Sequence, residues 1–417
     1  ARVALSGTIT ASALVFVVLV IGAEMLAGPF EPDDTAKADE LADLLRIGAA
    51  YVPLFGLMQV LRYCTQGYKT MVPSVIAGNL VQPSALFVLG IGALLLGLGV
   101  AGAVTSLVIS IAAGAGTAAF LFARLLSDDQ RRADPEADRP GMIRFALPQA
   151  GASLLGIQSL GLGVILLGLI AEPAAVAFFS AALALEAPGG IFLSGIVNIW
   201  APVVSDLHGK GEIERLGSLY QTITRWVATF SFPFFAALIL EPDLFLEVTF
   251  GPKYLAATSI IMVVAAGNFF YTGTGPTGYV ISMTGHPGVN FGNSVVSVAL
   301  YVVLAYAIVP EHGALGMAFV HAGVTAVANS SRVLLAYRIV GVQPFGKSFL
   351  KPVLATAVGA AVLLTWRLIP GDPIPLEIAG MVVAGLAYIG ALRILGIDEE
   401  ERYVWERIKE RALRRRS

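Results

Sequence analysis

Twelve runs of about twenty apolar residues follow one another along this chain, each long enough to cross a hydrocarbon core about 30 Å thick. They fall near residues 5–27, 45–66, 71–97, 101–123, 145–170, 174–203, 219–240, 256–283, 288–309, 314–337, 352–369 and 376–395. Charged residues make up only 13% of the sequence, against about 25% in a soluble domain. So few charges cannot cover a surface that faces water, and lipid is therefore the solvent. Lipid offers no partner to a backbone amide, which leaves the helix as the spanning element. The expectation is an all-α integral membrane protein of about twelve visible transmembrane helices. The net charge of −2 carries no basic excess for nucleic acid. The lone Cys64 rules out an intrachain disulfide, and the four histidines have no metal-ligand spacing.

An even number of spans puts both ends on one side. Starting inside, the loops 124–144, 204–218 and 338–351 and the tail are cytoplasmic. Of the 27 lysines and arginines, only Lys37, Arg46, Lys253 and Arg367 then fall outside. Such a bias orients a membrane protein, and predicts a multi-pass protein of the cytoplasmic membrane with both visible termini inside. The tail 397–417 mixes charges with Tyr403, Val404, Trp405, Ile408 and Leu413 before Arg414, Arg415 and Arg416. It reads as an interfacial helix held to anionic lipid, or more plainly as a solvated tail.

The chain carries signs of duplication. Gly99-x-x-Gly102 opens the fourth span and Gly313-x-x-Gly316 the tenth, at an offset of 214. Arg124 and Arg338 follow at that same offset, and Gly67-Tyr68-Lys69 and Gly285-His286 lie upstream. A repeated half is a common plan for transporters. The expected division is an N-terminal lobe over 1–126, a cytoplasmic linker over 127–144 and a six-helix C-terminal lobe over 145–340. Two additional helices over 350–396 and a basic tail over 397–417 complete it. The first half lacks counterparts for two helices, which are expected before Ala1.

From Arg144 onward the residues resemble a known family. Arg144-Phe-Ala-Leu-Pro148, Phe178-Phe-Ser-Ala-Ala-Leu183, Ala201-Pro202-Val-Val-Ser-Asp206 and Phe250-Gly-Pro-Lys-Tyr254 carry the likeness, with Thr284-Gly-His-Pro287 and Pro310-Glu-His-Gly-Ala-Leu-Gly316. The chain resembles the multidrug/oligosaccharidyl-lipid/polysaccharide flippase superfamily, in its polysaccharide-exporter branch. That resemblance implies two six-helix lobes about a central cavity, usually with two extra C-terminal helices. The visible spans would be the third to the fourteenth.

Ionisable side chains within spans are functional candidates, because lipid does not solvate them. Gln59, Arg62 and Gln66 lie at i, i+3 and i+7, on one helix face. An arginine fork suits a diphosphate; the plainer alternative is snorkelling to headgroups, which fits Lys69. Arg144 would join Arg62 in a basic entry, while Arg225 reads as a snorkelling anchor. Glu186 sits before Pro188-Gly189-Gly190, where proline should kink the sixth span. A carboxylate beside a helix break is a candidate site for Na+ or H+ coupling, or simply a paired or protonated side chain. Asn198 is a weaker candidate on that span. Asn268, Thr272, Gly275 and Tyr279 recur at spacings of 4, 3 and 4, and Gln149 and Ser153 begin a similar stripe. Either stripe could bind a glycan or bond between helices. His321, Thr325 and Asn329 read as structural.

The expected substrate-binding set is therefore Gln59, Arg62, Gln66, Arg144, Gln149, Asn268 and Thr272, with Glu186 as the ion-coupling residue and no metal site. The chain shows no G-x-x-x-x-G-K-[ST] loop, Ser/His/Asp set or acid pair that would mark an enzyme. The function expected is flipping of a lipid-linked (polyprenyl-diphosphate) oligosaccharide or polysaccharide repeat unit by alternating access, without a cofactor. Membrane lipids and glycan-assembly enzymes are the expected partners. The alternatives are a multidrug–cation antiporter of the same superfamily and a non-transporting membrane scaffold.

Overall fold

The computed structural model describes residues 2–30, 35–68, 70–127, 130, 139–155, 161–369 and 373–396. Lys69, Gln158 and the tail 397–417 lie outside them. The described residues contain helices and turns but no strand. In order, the helices are α1 Arg2–Ile21, α2 Ala23–Ala27, α3 Thr35–Ala49, α4 Tyr51–Gly67, α5 Val72–Val75, α6 Gln82–Leu95, α7 Gly99–Leu125, α8 Arg139–Leu154 and α9 Leu162–Ile170. They continue as α10 Pro173–Glu186, α11 Ile191–Gly209, α12 Ile213–Leu240, α13 Pro242–Phe250, α14 Thr258–Gly273 and α15 Thr277–Met283. The last three are α16 Pro287–Val340, α17 Leu350–Trp366 and α18 Pro373–Leu395.

Ten helical stretches among the described residues are long and apolar enough to cross a membrane. The difference from twelve has two physical causes. The ninth and tenth predicted spans run together as α16, which bends at Gly313, where φ is +53°. The fifth is divided between α8 and the short α9. Proline in the first turn starts α10, α13 and α16, where its missing N–H would have had no helical partner. Gly341, in the left-handed region at φ +80°, ends α16.

The chain divides into two compact units, Ala1–Ile143 and Arg144–Ser417. In the first, Met58 and Leu61 of α4 pack against Ile111, Ala115 and Phe122 of α7. Gly114 allows that approach, since a Cβ there would lie 2.7 Å from the Met58 Sδ. Large apolar side chains of α1, such as Leu14, Val18 and Ile21, are exposed, as a helix facing lipid requires.

In the second unit α12 is the central helix, and it passes two breaks in its neighbours. Between α10 and α11 the chain makes a 3₁₀ turn, Ala187–Gly190. Ser231 Oγ of α12 donates to the Gly189 carbonyl at 2.7 Å. Between α14 and α15 Gly275 adopts φ +66°, and a Cβ there would lie 2.3 Å from Thr224 Oγ1. Tyr220 Oη donates to the Thr274 carbonyl at 3.2 Å and lies 2.5 Å from Thr277 Oγ1. Side chains of one intact helix thus take up backbone groups that two interrupted helices release.

Two ion pairs tie segments that the sequence assigns to one side of the membrane. Arg46 bonds Glu24 at 2.6 Å and Asp43 at 2.7 Å. Arg367 bonds both oxygens of the buried Glu241 at 2.9 Å. Arg225 departs from expectation: at 5% exposure it is buried in α12 and does not snorkel.

Helix packing in lipid depends on small residues and close contact. A Cβ on Gly267 of α14 would stand 2.7 Å from the Ala322 Cα of α16, whereas one on Gly323 would meet nothing within 4 Å. Gly267→Ala is expected to cost about 1–3 kcal/mol by overpacking and to lower the melting temperature of the purified protein. Gly323→Ala should leave it unchanged. Equal melting temperatures for the two variants would refute the contact.

Candidate functional site

The site in the first unit starts from a proline. Pro83 has no N–H to give the carbonyl four residues back, and its ring crowds that carbonyl. The chain answers with a π turn over Ile76–Val81, in which the Gln82 N–H bonds the Ala77 carbonyl. The wider turn carries Gly78 and Asn79 up to the face of α4 that holds Arg62. Turns of this kind recur at functional sites.

Arg62 is half-buried there, and every nitrogen of its guanidinium has a neutral acceptor. Nε donates to Ser74 Oγ at 3.2 Å, Nη1 to Gln59 Oε1 at 2.8 Å and Nη2 to Asn79 Oδ1 at 3.1 Å. Gln66 Nε2 donates to the same Ser74 hydroxyl at 3.2 Å. A side chain at Gly78 would displace the guanidinium from this place, since a Cβ would lie 2.4 Å from the Arg62 Cζ. No carboxylate pairs with Arg62 among the described residues. A guanidinium keeps its charge in any such setting, so the cage orients a full positive charge and leaves it uncompensated. Asn79 is exposed, which makes one edge of the cage reachable.

The structure therefore brings Gln59, Arg62 and Gln66 together and adds Ser74 and Asn79. The sequence reading passes over both, although Asn79 stands four residues before a proline within a span. Arg144 and Gln149 lie in α8, but their side chains, with those of Ser153 and Asn198, are outside the described residues. The stripe on the eighth span is not continuous. Thr272 is fully buried and Asn268 nearly so, while Tyr279, beyond the break at Gly275, is exposed. Thr272 Oγ1 donates to the Asn268 carbonyl at 2.9 Å, and Asn268 Nδ2 to that of Val264 at 3.3 Å. The break turns α15 away from the register of α14, so the spacing does not hold one face. His321 is buried, with Nδ1 3.3 Å from Tyr301 Oη and its ring edge-on to Phe179.

Glu186 is the last residue of α10, directly before the 3₁₀ turn. Its Oε2 is buried without a hydrogen-bond partner among the described residues. An uncompensated carboxylate in a membrane helix is a candidate ion or proton site. Among the described residues no group of three or more His, Cys, Asp or Glu could hold a metal.

Comparison with known proteins adds what the geometry leaves open. The family model described as polysaccharide biosynthesis protein matches residues 4–208. The teichuronic acid biosynthesis protein TuaB of Bacillus subtilis is 25% identical over 355 residues, covering 82% of this chain and 70% of its own length. The lipid II flippase MurJ, in an inward closed conformation, superposes with a TM-score of 0.70 at 14% identity, over 94% of this chain and 83% of that one. A transporter of the multidrug/oligosaccharidyl-lipid/polysaccharide superfamily from Pyrococcus furiosus gives 0.61 at 16% identity, over 81% and 77%. Over its first half the chain is thus similar to polysaccharide biosynthesis proteins, and it shares its fold with transporters of this superfamily. Ten long apolar helices on this fold mark a multi-pass membrane protein. The family match begins at residue 4, well before Arg144, and most of it lies in the first unit.

Restoring a hydrogen-bonding residue at 83 should undo the π turn and withdraw Asn79 from Arg62. Pro83→Ala is expected to leave the protein folded and to lower the transport proposed below by about tenfold, the effect of losing one hydrogen bond to a charged group. Transport by Pro83→Ala equal to the parent would break the link between the turn and the site.

Proposed function

We propose that this protein flips a lipid-linked oligosaccharide or polysaccharide repeat unit, carried on a polyprenyl diphosphate, from the cytoplasmic to the outer leaflet. The observation that carries the proposal is the Arg62 cage. It holds a cation that no carboxylate among the described residues neutralises, with three bonded nitrogens fixing its plane. A diphosphate supplies the missing charge, and Gln66 and Asn79 supply amide groups beside it. The names of two relatives support the substrate class, since one serves teichuronic acid biosynthesis and another flips lipid II.

In this proposal the diphosphate binds at Arg62 and that site opens alternately to the two faces of the membrane. Arg62 lies five residues from the end of α4, about 8 Å at the helical rise. The positive-inside bias makes that end cytoplasmic, where a substrate assembled inside would arrive. Arg144 would add a second charge at entry. Glu186 would take up and release a proton or Na+, driving the cycle from the ion gradient without a cofactor. Glycan-assembly enzymes would hand over the substrate.

In proteoliposomes containing a fluorescent polyprenyl-diphosphate oligosaccharide, Arg62→Gln should slow flipping at least about tenfold, and Arg62→Lys less. Equal rates for the parent and Arg62→Gln would exclude the diphosphate role. Export of ethidium in place of the lipid would favour the antiporter alternative. Glu186→Gln should abolish the dependence of flipping on an imposed gradient, and a gradient response that persists would remove Glu186 from coupling.

A further inference from the structure

The central helix of the second unit contains a proline whose effect reaches another pair of helices. Pro233 stands inside α12, so the Thr229 carbonyl four residues back loses its helical donor and is crowded by the ring. Tyr388 of α18 takes that carbonyl, its Oη donating at 2.5 Å. At the far end of the helix Arg367, which follows α17, donates to the Leu240 carbonyl. The same guanidinium holds both oxygens of Glu241 at 2.9 Å. The segment from Pro233 to Leu240 is thus fastened at each end to the α17–α18 pair.

Between the two fastenings lies a cavity of about 220 Å³. Pro233, Ala236, Ala237 and Leu240 form its α12 wall, and Ala360 of α17 and Gly385 of α18 stand among the residues across from them. The other face of α12 carries Ser231, Phe234 and Phe235. Two residues turn a helix by about 200°, so the sets that begin at 231 and at 233 lie on opposite faces. Ser231 Oγ donates to the Gly189 carbonyl at 2.7 Å. A Cβ on Gly189 would lie 2.4 Å from Phe235 Cζ and 2.8 Å from Phe234 Cδ1. Gly189 belongs to the 3₁₀ turn that follows Glu186, and Leu185 shares one apolar core with Phe235 and Leu238. One face of α12 therefore closes the break beside Glu186, and the other faces empty space.

Protein interiors pack closely, and a void forfeits the contacts its walls would make. A proline hinges a helix where it removes a ladder bond. A hinge at Pro233 with a void on one side has a direction in which it can swing without a clash. Such a swing lifts Phe234 and Phe235 off Gly189, while Ser231, on the near side of the hinge, keeps its bond. We propose that the Pro233–Leu240 segment swings into this cavity to uncover Glu186, and that Tyr388 is the positioning residue that holds the segment shut. This gives the proposed ion-coupling site a gate. Its part in transport rests on the flippase proposal, whereas the movement stands on the packing.

The decisive variant is Gly385→Leu, which fills the cavity. A Cβ at Gly385 meets nothing within 4 Å, so the new side chain enters empty space. Gly390→Leu is the control, because Gly390 also lies on α18 and is equally open but does not line the cavity. Ala360→Leu fills the cavity from α17, should Gly385→Leu fail to fold. Purified full-length protein is treated with dicyclohexylcarbodiimide, an apolar reagent for carboxyl groups within membranes, and modification of Glu186 is followed by mass spectrometry. Gly385→Leu should raise the melting temperature and slow the modification at least about tenfold, since the swing would then overpack. Gly390→Leu should react at the parental rate. Tyr388→Phe should speed the reaction at least about threefold, the scale of one hydrogen bond. In Pro233→Ala the N–H of residue 233 takes the Thr229 carbonyl, and Tyr388→Phe should then add nothing. A stabilised Gly385→Leu whose Glu186 reacts at the parental rate overturns the gate. An effect of Tyr388→Phe that survives Pro233→Ala overturns the role given to Tyr388.

Proteoliposomes separate this from the flippase proposal. With a fluorescent polyprenyl-diphosphate oligosaccharide, Gly385→Leu should slow flipping at least about tenfold and Gly390→Leu should match the parent. Carbodiimide rates that follow the expected pattern, without flipping of the lipid by the parent, would refute the flippase proposal and leave the gate intact. Flipping by the parent, with neither rate moved by Gly385→Leu, would do the reverse.

Discussion

Within a bilayer a backbone amide has no water to turn to, and that constraint shapes this molecule at every level. It makes the elements helices, and it makes any interruption of a helix a debt that another side chain must settle. Three interruptions show how. At Ala187–Gly190, Ser231 reaches the Gly189 carbonyl. At Gly275, Tyr220 reaches the Thr274 carbonyl. At Pro83 the chain widens into a π turn, and the Gln82 N–H finds the Ala77 carbonyl instead of an empty position. Two of these breaks rest on α12, which explains why that helix carries so many buried hydroxyls.

The same breaks put chemistry in place. The π turn presents Asn79 to Arg62, and the 3₁₀ turn follows directly on Glu186. A regular helix would bury its polar atoms in its own ladder, whereas an interrupted one has groups to spare for a ligand. Arg62 has only neutral oxygens for partners. Structural arginines in lipid are usually paired with an acid. Arg367, which holds both oxygens of Glu241, shows that this chain makes such pairs where it needs only a tie.

Much of this was legible in the residues. Apolar run length and scarce charge determine an all-helical membrane protein, because continuous runs of about twenty apolar residues fit spanning helices, whereas barrel strands are about half as long and alternate in polarity. The spacing of Gln59, Arg62 and Gln66 places them on one helix face, and α4 keeps them there. Pro188 signals the break beside Glu186. What sequence could not supply was the partner of each polar group across helices. Ser74 and Asn79 reach Arg62 only because a π turn shifts register, and Gly78 leaves room only for that guanidinium. The stripe from Asn268 to Tyr279 failed for a related reason, since periodicity assumes an unbroken helix and Gly275 interrupts it. The sequence by itself determined the solvent, the elements and the family likeness, because these depend on composition and local pattern. Which charges stand compensated and which stand open was decided by tertiary structure alone, because in lipid that depends on the helix each side chain meets.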